Sequence, residues 1–167
     1  MKVSTRGRYA LRMMIDVARQ GEGNRVTIKE VSERQSISVK YLEQIVKNLV
    51  NSGFLRSIRG SHGGYMLARK PEEYTAGEIL RAIEGSFAPV ACLAGEENRC
   101  ERREYCETLM FWSGLGDVID GYLDRHTLAD FVPYQEKDEL ESTCYITKKK
   151  SAHDTVNREA KREKSVV

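Results

Sequence analysis

The chain has 167 residues, of which 40% are hydrophobic and 31% charged, and its net charge is +2. This length accommodates one domain with an appendage, and the apolar content excludes a wholly disordered chain. The sequence has no apolar run near the roughly 18–20 residues of a membrane span and no signal-peptide pattern at its start. We therefore expect a cytoplasmic protein with reduced thiols.

The small net charge hides an asymmetry along the chain. Residues 1–70 carry 14 Lys/Arg and 5 Asp/Glu, a net charge of +9, whereas residues 71–145 carry 6 and 17, a net charge of −11. A basic N-terminal half is typical of a protein that binds a polyanion such as nucleic acid. A merely solvated basic face would have the same composition and remains an alternative on charge alone.

Two helices are predicted first in the basic half. Apolar residues at helical spacing predict a helix over Tyr9–Arg19, and the stretch "GEGN" ends it. Thr27 followed by Glu30 is a capping-box pattern, which opens a short second helix through about Arg34.

A third helix and a hairpin follow. Ser38 can cap a helix over Val39–Asn51, which Gly53 ends, and its apolar stripe is Leu42, Ile45, Val46 and Leu49. Strand-like runs flank the glycines of "RGSHGG", which predicts a hairpin with a glycine-rich tip. This order is that of a winged helix, in which the third helix enters the major groove and the wing contacts the minor groove or backbone.

The acidic part begins with a second capping box, Thr75 and Glu78, which opens a helix over Ala76–Glu84. Apolar residues from Tyr105 to Leu123 predict a long amphipathic helix that a small winged helix cannot bury, so a partner subunit is expected. "HTLADF" predicts a short helix. The charged segment 136–167 is predicted to be a disordered tail.

Three of the four cysteines, Cys92, Cys100 and Cys106, fall in the loop-like stretch "ACLAGEENRCERREYC". Soft thiolates select zinc, copper(I) or iron–sulfur clusters. The gaps of seven and five residues are wider than those of zinc knuckles and favour a cluster, although three metal-free structural cysteines remain possible. Cys144 is interpreted as a non-ligand.

These stretches together resemble a family of dimeric bacterial winged-helix regulators. The family includes the iron–sulfur regulator IscR, the nitric-oxide sensor NsrR and the cysteine-metabolism regulator CymR. The resemblance rests on "MKVSTRGRYALRMMIDVA", "VSERQSISVKYLEQIVKNL", "RSIRGSHGGYML" and the cysteine stretch with the helix of Trp112. The three cysteines favour its cluster-binding, IscR-like branch. The resemblance implies a homodimer on double-stranded DNA, with the long helix crossing between subunits and an iron–sulfur cluster, most simply [2Fe-2S], on the three cysteines.

The same resemblance implies DNA-binding roles for Lys40, Glu43 and Gln44 in the third helix and Arg59 in the wing. Lys40 stands where the family often has a small residue, and His62 where a glycine is common. Gln44 can pair with adenine, and Arg59 can enter a narrow minor groove. Glu43 repels phosphate and accepts only from a donor such as cytosine N4, so it can reject some sequences. A solvated surface residue is the alternative for each.

The fourth cluster ligand is left open. Relatives use a histidine or an aspartate at positions where this chain has Leu109 and Arg8, and neither side chain can serve. Water, a small thiol or a nearby carboxylate can take this place, and the nearby carboxylates are Glu97, Glu101, Glu104 and Glu107.

The expected fold is mainly α with a small β-hairpin wing. Residues 1–70 would form the winged helix-turn-helix, and 71–135 the cluster loop and dimerisation helix. The expected function is transcriptional regulation, of repressor or activator type, at iron–sulfur assembly genes. The alternatives are the same fold sensing nitric oxide or iron, and a zinc-stabilised DNA-binding module without sensing. The sequence has no Ser/His/Asp arrangement, P-loop or dinucleotide fingerprint, so no enzyme is expected. An electron carrier is disfavoured because it needs no groove-fitting helix.

Overall fold

The computed structural model describes residues 2–60, 63–95 and 97–132. Within these ranges the chain forms α1 (Thr5–Arg19), α2 (Ile28–Gln35), α3 (Val39–Asn51), β1 (Leu55–Ile58), β2 (Gly64–Leu67), α4 (Ala76–Glu84) and α5 (Leu109–Arg125). Short 3-10 turns lie at Pro71–Glu73, Ala91–Leu93 and Ala129–Phe131. The mainly helical fold with a small hairpin is confirmed. The predicted tail, His62, His153 and Cys144 lie outside the described residues, and the division at residues 70 and 135 stays a prediction.

Helix α1 begins at Thr5, earlier than the predicted start at Tyr9. Ser4 caps it, because its hydroxyl oxygen accepts hydrogen bonds from the N–H groups of Arg6 and Gly7 at 3.1 and 3.2 Å. The first turn is mostly polar, so apolar spacing alone does not reveal it.

Helices α2 and α3 follow the predictions closely. The capping box forms, with the Thr27 N–H donating to Glu30 Oε2 at 2.7 Å and the Glu30 N–H donating to Thr27 Oγ1 at 3.2 Å. The turn between the helices passes through Ser36 in the left-handed region, at φ 54°. Ser38 stands at the predicted cap position of α3, but its hydroxyl makes no capping hydrogen bond. Ser38 is therefore the N-cap residue of α3, as predicted, and the helix begins where expected.

The first three helices pack around one hydrophobic core, and the hairpin closes one side of it. In the hairpin, Leu55 lies opposite Leu67 and Ile58 opposite Gly64. The largest completely buried side chains come from every part of this unit and from α4, and include Met13, Met14, Leu42, Ile45, Leu49, Tyr74 and Ile79.

Helix α4 and the end of the described chain are joined by backbone hydrogen bonds. The capping box of Thr75 and Glu78 forms as predicted. After α5, the Leu128 N–H donates to the Tyr74 carbonyl at 2.9 Å, and the Leu128 side chain is completely buried. The predicted short helix "HTLADF" is only the 3-10 turn Ala129–Phe131.

Helix α5 begins at Leu109, four residues later than predicted, and extends to Arg125. The preceding backbone makes tight turns instead, with the Arg103 N–H bonded to the Cys100 carbonyl and the Tyr105 N–H to the Arg102 carbonyl, both at 3.1 Å. None of the residues of α5 is buried. No described helix combines the length and the apolar character needed to cross a membrane.

Candidate nucleic-acid interface and cysteine loop

The exposed face of α3 holds the residues predicted to read DNA. Lys40, Glu43 and Gln44 are all exposed, whereas the stripe of Leu42, Ile45, Val46 and Leu49 is buried. Helical periodicity places Lys47 on the same face, one turn beyond Glu43, and it is exposed as well. Lys47 was missing from the sequence-based set, although its charge and spacing on this helix could have identified it.

The hairpin lies beside this face. Arg59 is exposed at its tip, next to Gly60 with φ 111°. A cleft of about 340 Å³ separates α3 from the hairpin, and Glu43 lines it together with Ile28, Val46, Lys47, Val50, Asn51, Ser57 and Tyr65. Glu43 therefore lies where the helix and the wing meet, while Lys40 and Gln44 are not part of the cleft lining.

A buried carboxylate anchors the helix-turn-helix to α1. Asp16 is 3% exposed, and its oxygens accept from Arg34 Nε at 3.1 Å, from Arg34 Nη2 at 2.7 Å and from Gln35 Nε2 at 2.9 Å. These hydrogen bonds raise the pKa of Arg34 and fix the end of α2, which leads into α3. Sequence reasoning missed this anchor, although an aspartate among the apolar positions of α1 was its signal.

Cys92 and Cys100 share one open cleft. Cys92 lies on the 3-10 turn after α4, and the Cys100 N–H donates to Asn98 Oδ1 at 3.0 Å. Both cysteines line a cavity of about 750 Å³ with Ala91, Gly95, Glu97 and Arg99. Each thiol is half-buried and free of a disulfide. Glu97 places one of the candidate oxygen donors in the same cavity.

Cys106 is a free, half-buried thiol just before α5 and is not among the residues that line this cavity. Its Sγ lies 3.6 Å from Thr108 Oγ1. The hydrogen bond with the Thr108 side chain is the largest cause that lowers the pKa of the Cys106 thiol, followed by the Thr108 backbone. A lower pKa favours the thiolate, which is the form that binds metals.

The donor chemistry of the loop fits an iron–sulfur cluster or zinc, since both take thiolate ligands. The described residues nevertheless hold no group of three His, Cys, Asp or Glu side chains placed to bind a metal ion. Two of the three predicted ligands, Cys92 and Cys100, line one cavity, and Cys106 is not among its lining residues. The set of cluster ligands stays a prediction.

Helix α5 exposes apolar side chains on the surface turned away from α4. Phe111, Leu115, Val118 and Tyr122 follow one another at intervals of three or four residues and are 65%, 38%, 68% and 60% exposed. The other side carries Asp120 and Asp124, which pair with Arg81 of α4. An exposed apolar stripe of this kind marks a surface for association.

The helix-turn-helix, its wing and its basic reading face define a winged-helix DNA-binding protein. The family model described as "Rrf2: Iron-dependent Transcriptional regulator" matches residues 3–134. The chain belongs to this Rrf2 family of transcriptional regulators.

Individual relatives carry different names. The chain is 41% identical over 133 residues to Protein rrf2 of Nitratidesulfovibrio vulgaris, which covers 79% of the chain and 87% of that protein. It is 35% identical over 136 residues to IscR of Escherichia coli, covering 81% and 83%. The solved structure of CymR of B. subtilis, described as the global cysteine regulator of that organism, aligns with a TM-score of 0.66 and 35% identity, covering 81% of the chain and 99% of CymR. The similarity thus confirms the family without singling out the IscR-like branch. IscR and CymR are both named as regulators, which is consistent with the expectation that the chain is not an enzyme.

Proposed function

We propose that the protein is a homodimeric transcriptional regulator whose binding to duplex DNA changes with the state of an iron–sulfur cluster. The cluster, most simply [2Fe-2S], would be held by Cys92, Cys100 and Cys106, and the target genes would be those of cluster assembly. The main support for this proposal is the position of the cysteine loop between α4 and α5. The loop leaves α4, which packs on α1, and the chain returns through α5, whose apolar stripe is exposed.

The DNA-reading part of the proposal rests on the exposed face of α3 and on the wing. Gln44 can pair with an adenine edge in the major groove, and Lys40 can contact phosphate. Arg59, which is exposed at the tip of the wing, can contact the minor groove or the backbone. Glu43, at the cleft between helix and wing, accepts from a base donor and repels phosphate. We propose that it rejects sites without such a donor, so that cluster-free and cluster-loaded protein select different sequences.

The dimer rests on the exposed stripe of α5. Two copies would bury Phe111, Leu115, Val118 and Tyr122 against each other, which removes apolar surface from water and stabilises the pair. A two-fold dimer places two reading helices in major grooves about one helical turn apart, so the binding site should be a palindrome. Val118→Asp should shift the protein to a monomer in analytical ultracentrifugation, whereas Asp117→Asn on the neighbouring position should leave the dimer intact.

The cysteine thiols are the chemical basis for proposing an iron–sulfur cluster. Three reduced cysteines, one with a lowered pKa, supply soft anionic ligands. When bound, an iron–sulfur cluster would supply sensitivity to oxidants, nitric oxide and iron supply. The chain's part is to hold the cluster by three thiolates and one non-thiolate ligand, with Glu97 as a candidate from the same cavity. Fewer thiolates would make the cluster easier to lose, which suits a sensor.

The test compares single cysteine variants after anaerobic reconstitution with iron and sulfide. Cys92→Ala, Cys100→Ala and Cys106→Ala should each lose visible absorbance and bound iron, while the matched control Cys144→Ala should keep both. Full retention in any of the first three, or loss in Cys144→Ala, contradicts the ligand set. A colourless protein that retains zinc instead supports the zinc-stabilised alternative.

A second arm tests regulation on DNA. Sites are selected from random duplexes with cluster-loaded and with cluster-free protein at fixed salt, because phosphate contacts make affinity depend on salt. We expect different sequences, and Glu43→Ala should let the cluster-free protein bind the sites that it otherwise rejects. Arg59→Ala should weaken binding by about 1–3 kcal/mol, whereas Arg102→Ala in the cysteine loop should not. Identical selection by both forms would leave a DNA-binding protein without cluster sensing.

A further inference from the structure

The side-chain carboxylate of Glu84, the last residue of α4, is hydrogen-bonded to the first turn of α1 and its cap. Glu84 Oε1 accepts hydrogen bonds from the Ser4 N–H at 3.2 Å, from the Ser4 hydroxyl at 2.5 Å and from the Gly7 N–H at 2.9 Å. We call these three hydrogen bonds the Glu84 clasp. They connect residues about eighty positions apart in the sequence, so the clasp is a tertiary contact and not a local cap.

The charge of Glu84 suits this place. The first turn of α1 carries no acidic residue of its own and includes Arg6 and Arg8. A negative charge near a helix N-terminus is stabilised by the unpaired N–H groups and the helix dipole. Glu84 supplies this charge from another helix and adds to the cap that Ser4 forms, so this second set of contacts is present only while the end of α4 stays beside α1.

Position 7 leaves no room for a larger residue while the clasp is formed. Gly7 is buried, and a Cβ atom there would overlap Glu84 Oε1 and crowd the rest of the carboxylate. The overlapping atom is the end of a flexible side chain, so Gly7→Ala would displace the carboxylate without disturbing the backbone. Glycine at this position therefore permits the close approach of α4 to α1.

The Glu84 clasp lies a few residues before the cysteine loop, which comprises residues 91–106. The chain leaves α4 directly after Glu84 through Gly85, at φ 83°, and reaches Cys92 seven residues later. It comes back in α5, where Asp120 and Asp124 pair with Arg81 of α4, the former at 2.8 Å. The chain before the loop continues directly from α4, the second half of α5 is paired with α4, and α4 is joined to α1 by Glu84.

Helix α1 continues this connection to the reading helix, α3. Asp16 of α1 holds Arg34 and Gln35 at the end of α2, directly before the turn into α3. The N-terminus of α1 is therefore connected to the reading helix through elements that are packed and hydrogen-bonded to one another.

We propose that Glu84 is a positioning residue that transmits the state of the cysteine loop to the DNA-binding unit. This inference rests on the proposed cluster-dependent DNA binding and names the contact that carries it. An ordered loop holds the end of α4 in place and keeps the clasp closed, so that α1 and the reading helix are fixed for binding. When the loop is not ordered, the clasp opens more often and the reading helix is held less firmly.

The experiment measures the dissociation constant for a site selected with the wild-type protein, in cluster-loaded and cluster-free forms. The ratio of the two constants reports the coupling, and couplings between sites typically amount to about 5–150-fold. We expect this ratio to fall toward one in Glu84→Ala and in Gly7→Ala, which remove the clasp from opposite sides. Glu84→Gln keeps an acceptor oxygen and should recover part of the ratio. Glu72→Ala, which removes an exposed carboxylate elsewhere, is the matched control and should keep the wild-type ratio.

A second measurement follows the clasp without any cluster. In cluster-free protein, hydrogen exchange at the amides of Ser4 and Gly7 should be faster in Glu84→Ala than in Glu72→Ala, because both amides lose an acceptor. Visible absorbance checks that each variant still takes up the cluster. If Glu84→Ala does not fold, Gly7→Ala, which keeps every carboxylate, replaces it in both measurements.

The outcomes separate the two proposals. A wild-type ratio of one overturns the cluster-dependent function, and the role of Glu84 falls with it. A wild-type ratio well above one that both clasp variants retain overturns the role of Glu84 alone. That role is also overturned if the ratio falls while exchange at Ser4 and Gly7 is unchanged, or if Glu84→Ala no longer takes up the cluster.

Discussion

Two regions of the molecule differ in how they are stabilised. One is the DNA-reading unit, formed by α1, α2, α3 and the hairpin, and the other is the segment that carries the cysteines and α5. The first has a core of side chains such as Met13, Leu42 and Leu49, which are completely buried. In the second, none of the described residues between 88 and 127 is buried. Burial of apolar surface is the main favourable term in folding. The reading unit is therefore stabilised by its own core, whereas the described residues of the cysteine segment and of α5 bury little apolar surface within the chain.

The largest effect on the free energy of unfolding is expected when a leucine is replaced by alanine in the DNA-reading unit and, for comparison, in α5. Leu42 is completely buried under α3, whereas Leu115 on α5 is 38% exposed. Leu42→Ala should lower the free energy of unfolding by about 2–5 kcal/mol, because it leaves a cavity. Leu115→Ala should cost less and should act mainly by weakening the dimer. Urea unfolding at several protein concentrations checks this, since only the Leu115→Ala effect should depend on concentration. Equal, concentration-independent losses would refute the contrast.

An intermediate effect is expected at the buried anchor of the reading unit. Asp16→Ala leaves Arg34 and Gln35 without their acceptor and should lower the free energy of unfolding by about 1–3 kcal/mol. Because Arg34 is partly exposed, it can turn to water, which keeps the loss below that of a fully buried ion pair. Asp117→Ala on exposed α5 is the control, with an expected change within about 0.5 kcal/mol. Thermal unfolding of both variants measures the difference.

The smallest effect concerns pH. Hydrogen bonds from the Thr27 backbone and side chain lower the pKa of Glu30. Its contribution to stability is present above the unfolded pKa of about 4.3 and is lost as the pH falls through the lower folded pKa. Glu30 is exposed, so we expect less than about 1 kcal/mol. Glu30→Ala should flatten this part of the acid-unfolding curve, whereas Glu104→Ala in the cysteine loop should not. An unchanged curve in Glu30→Ala would show that the capping box adds no pH dependence.

Local signals in the sequence predicted local structure well. The capping boxes at Thr27 and Thr75 set the starts of α2 and α4, because the groups that form them lie within one turn of the helix. The start of α1 was missed because its first turn is polar and its N-terminus is completed by Glu84 from a distant helix. No pattern within a short window reveals such a contact.

In the candidate site, too, the sequence predicted the local features of a helix but not the geometry of the loop. The exposure of Lys40, Glu43 and Gln44 followed from the apolar stripe of α3, since a helix that buries one face presents the other. The cysteine spacing gave the donor chemistry but not the geometry. Tight turns occupy the backbone between Cys100 and Leu109, so α5 begins later than its apolar spacing predicts, and Cys106 is not among the residues that line the cavity of the other two thiols. Those turns depend on loop packing, which periodicity does not encode.

The backbone hydrogen bond between Leu128 and Tyr74 has a consequence for how this protein can change. It joins the chain after α5 to a residue just before α4, so the cysteine loop and α5 lie between two fixed points, the buried helix α4 and the buried Leu128. The free energy of closing a flexible loop grows only with the logarithm of its length. Insertions and deletions between residues 85 and 108 should therefore change the folding stability of the DNA-reading unit little. The loop can thus gain or lose residues, and with them ligand side chains, while the fold that presents the reading helix is kept.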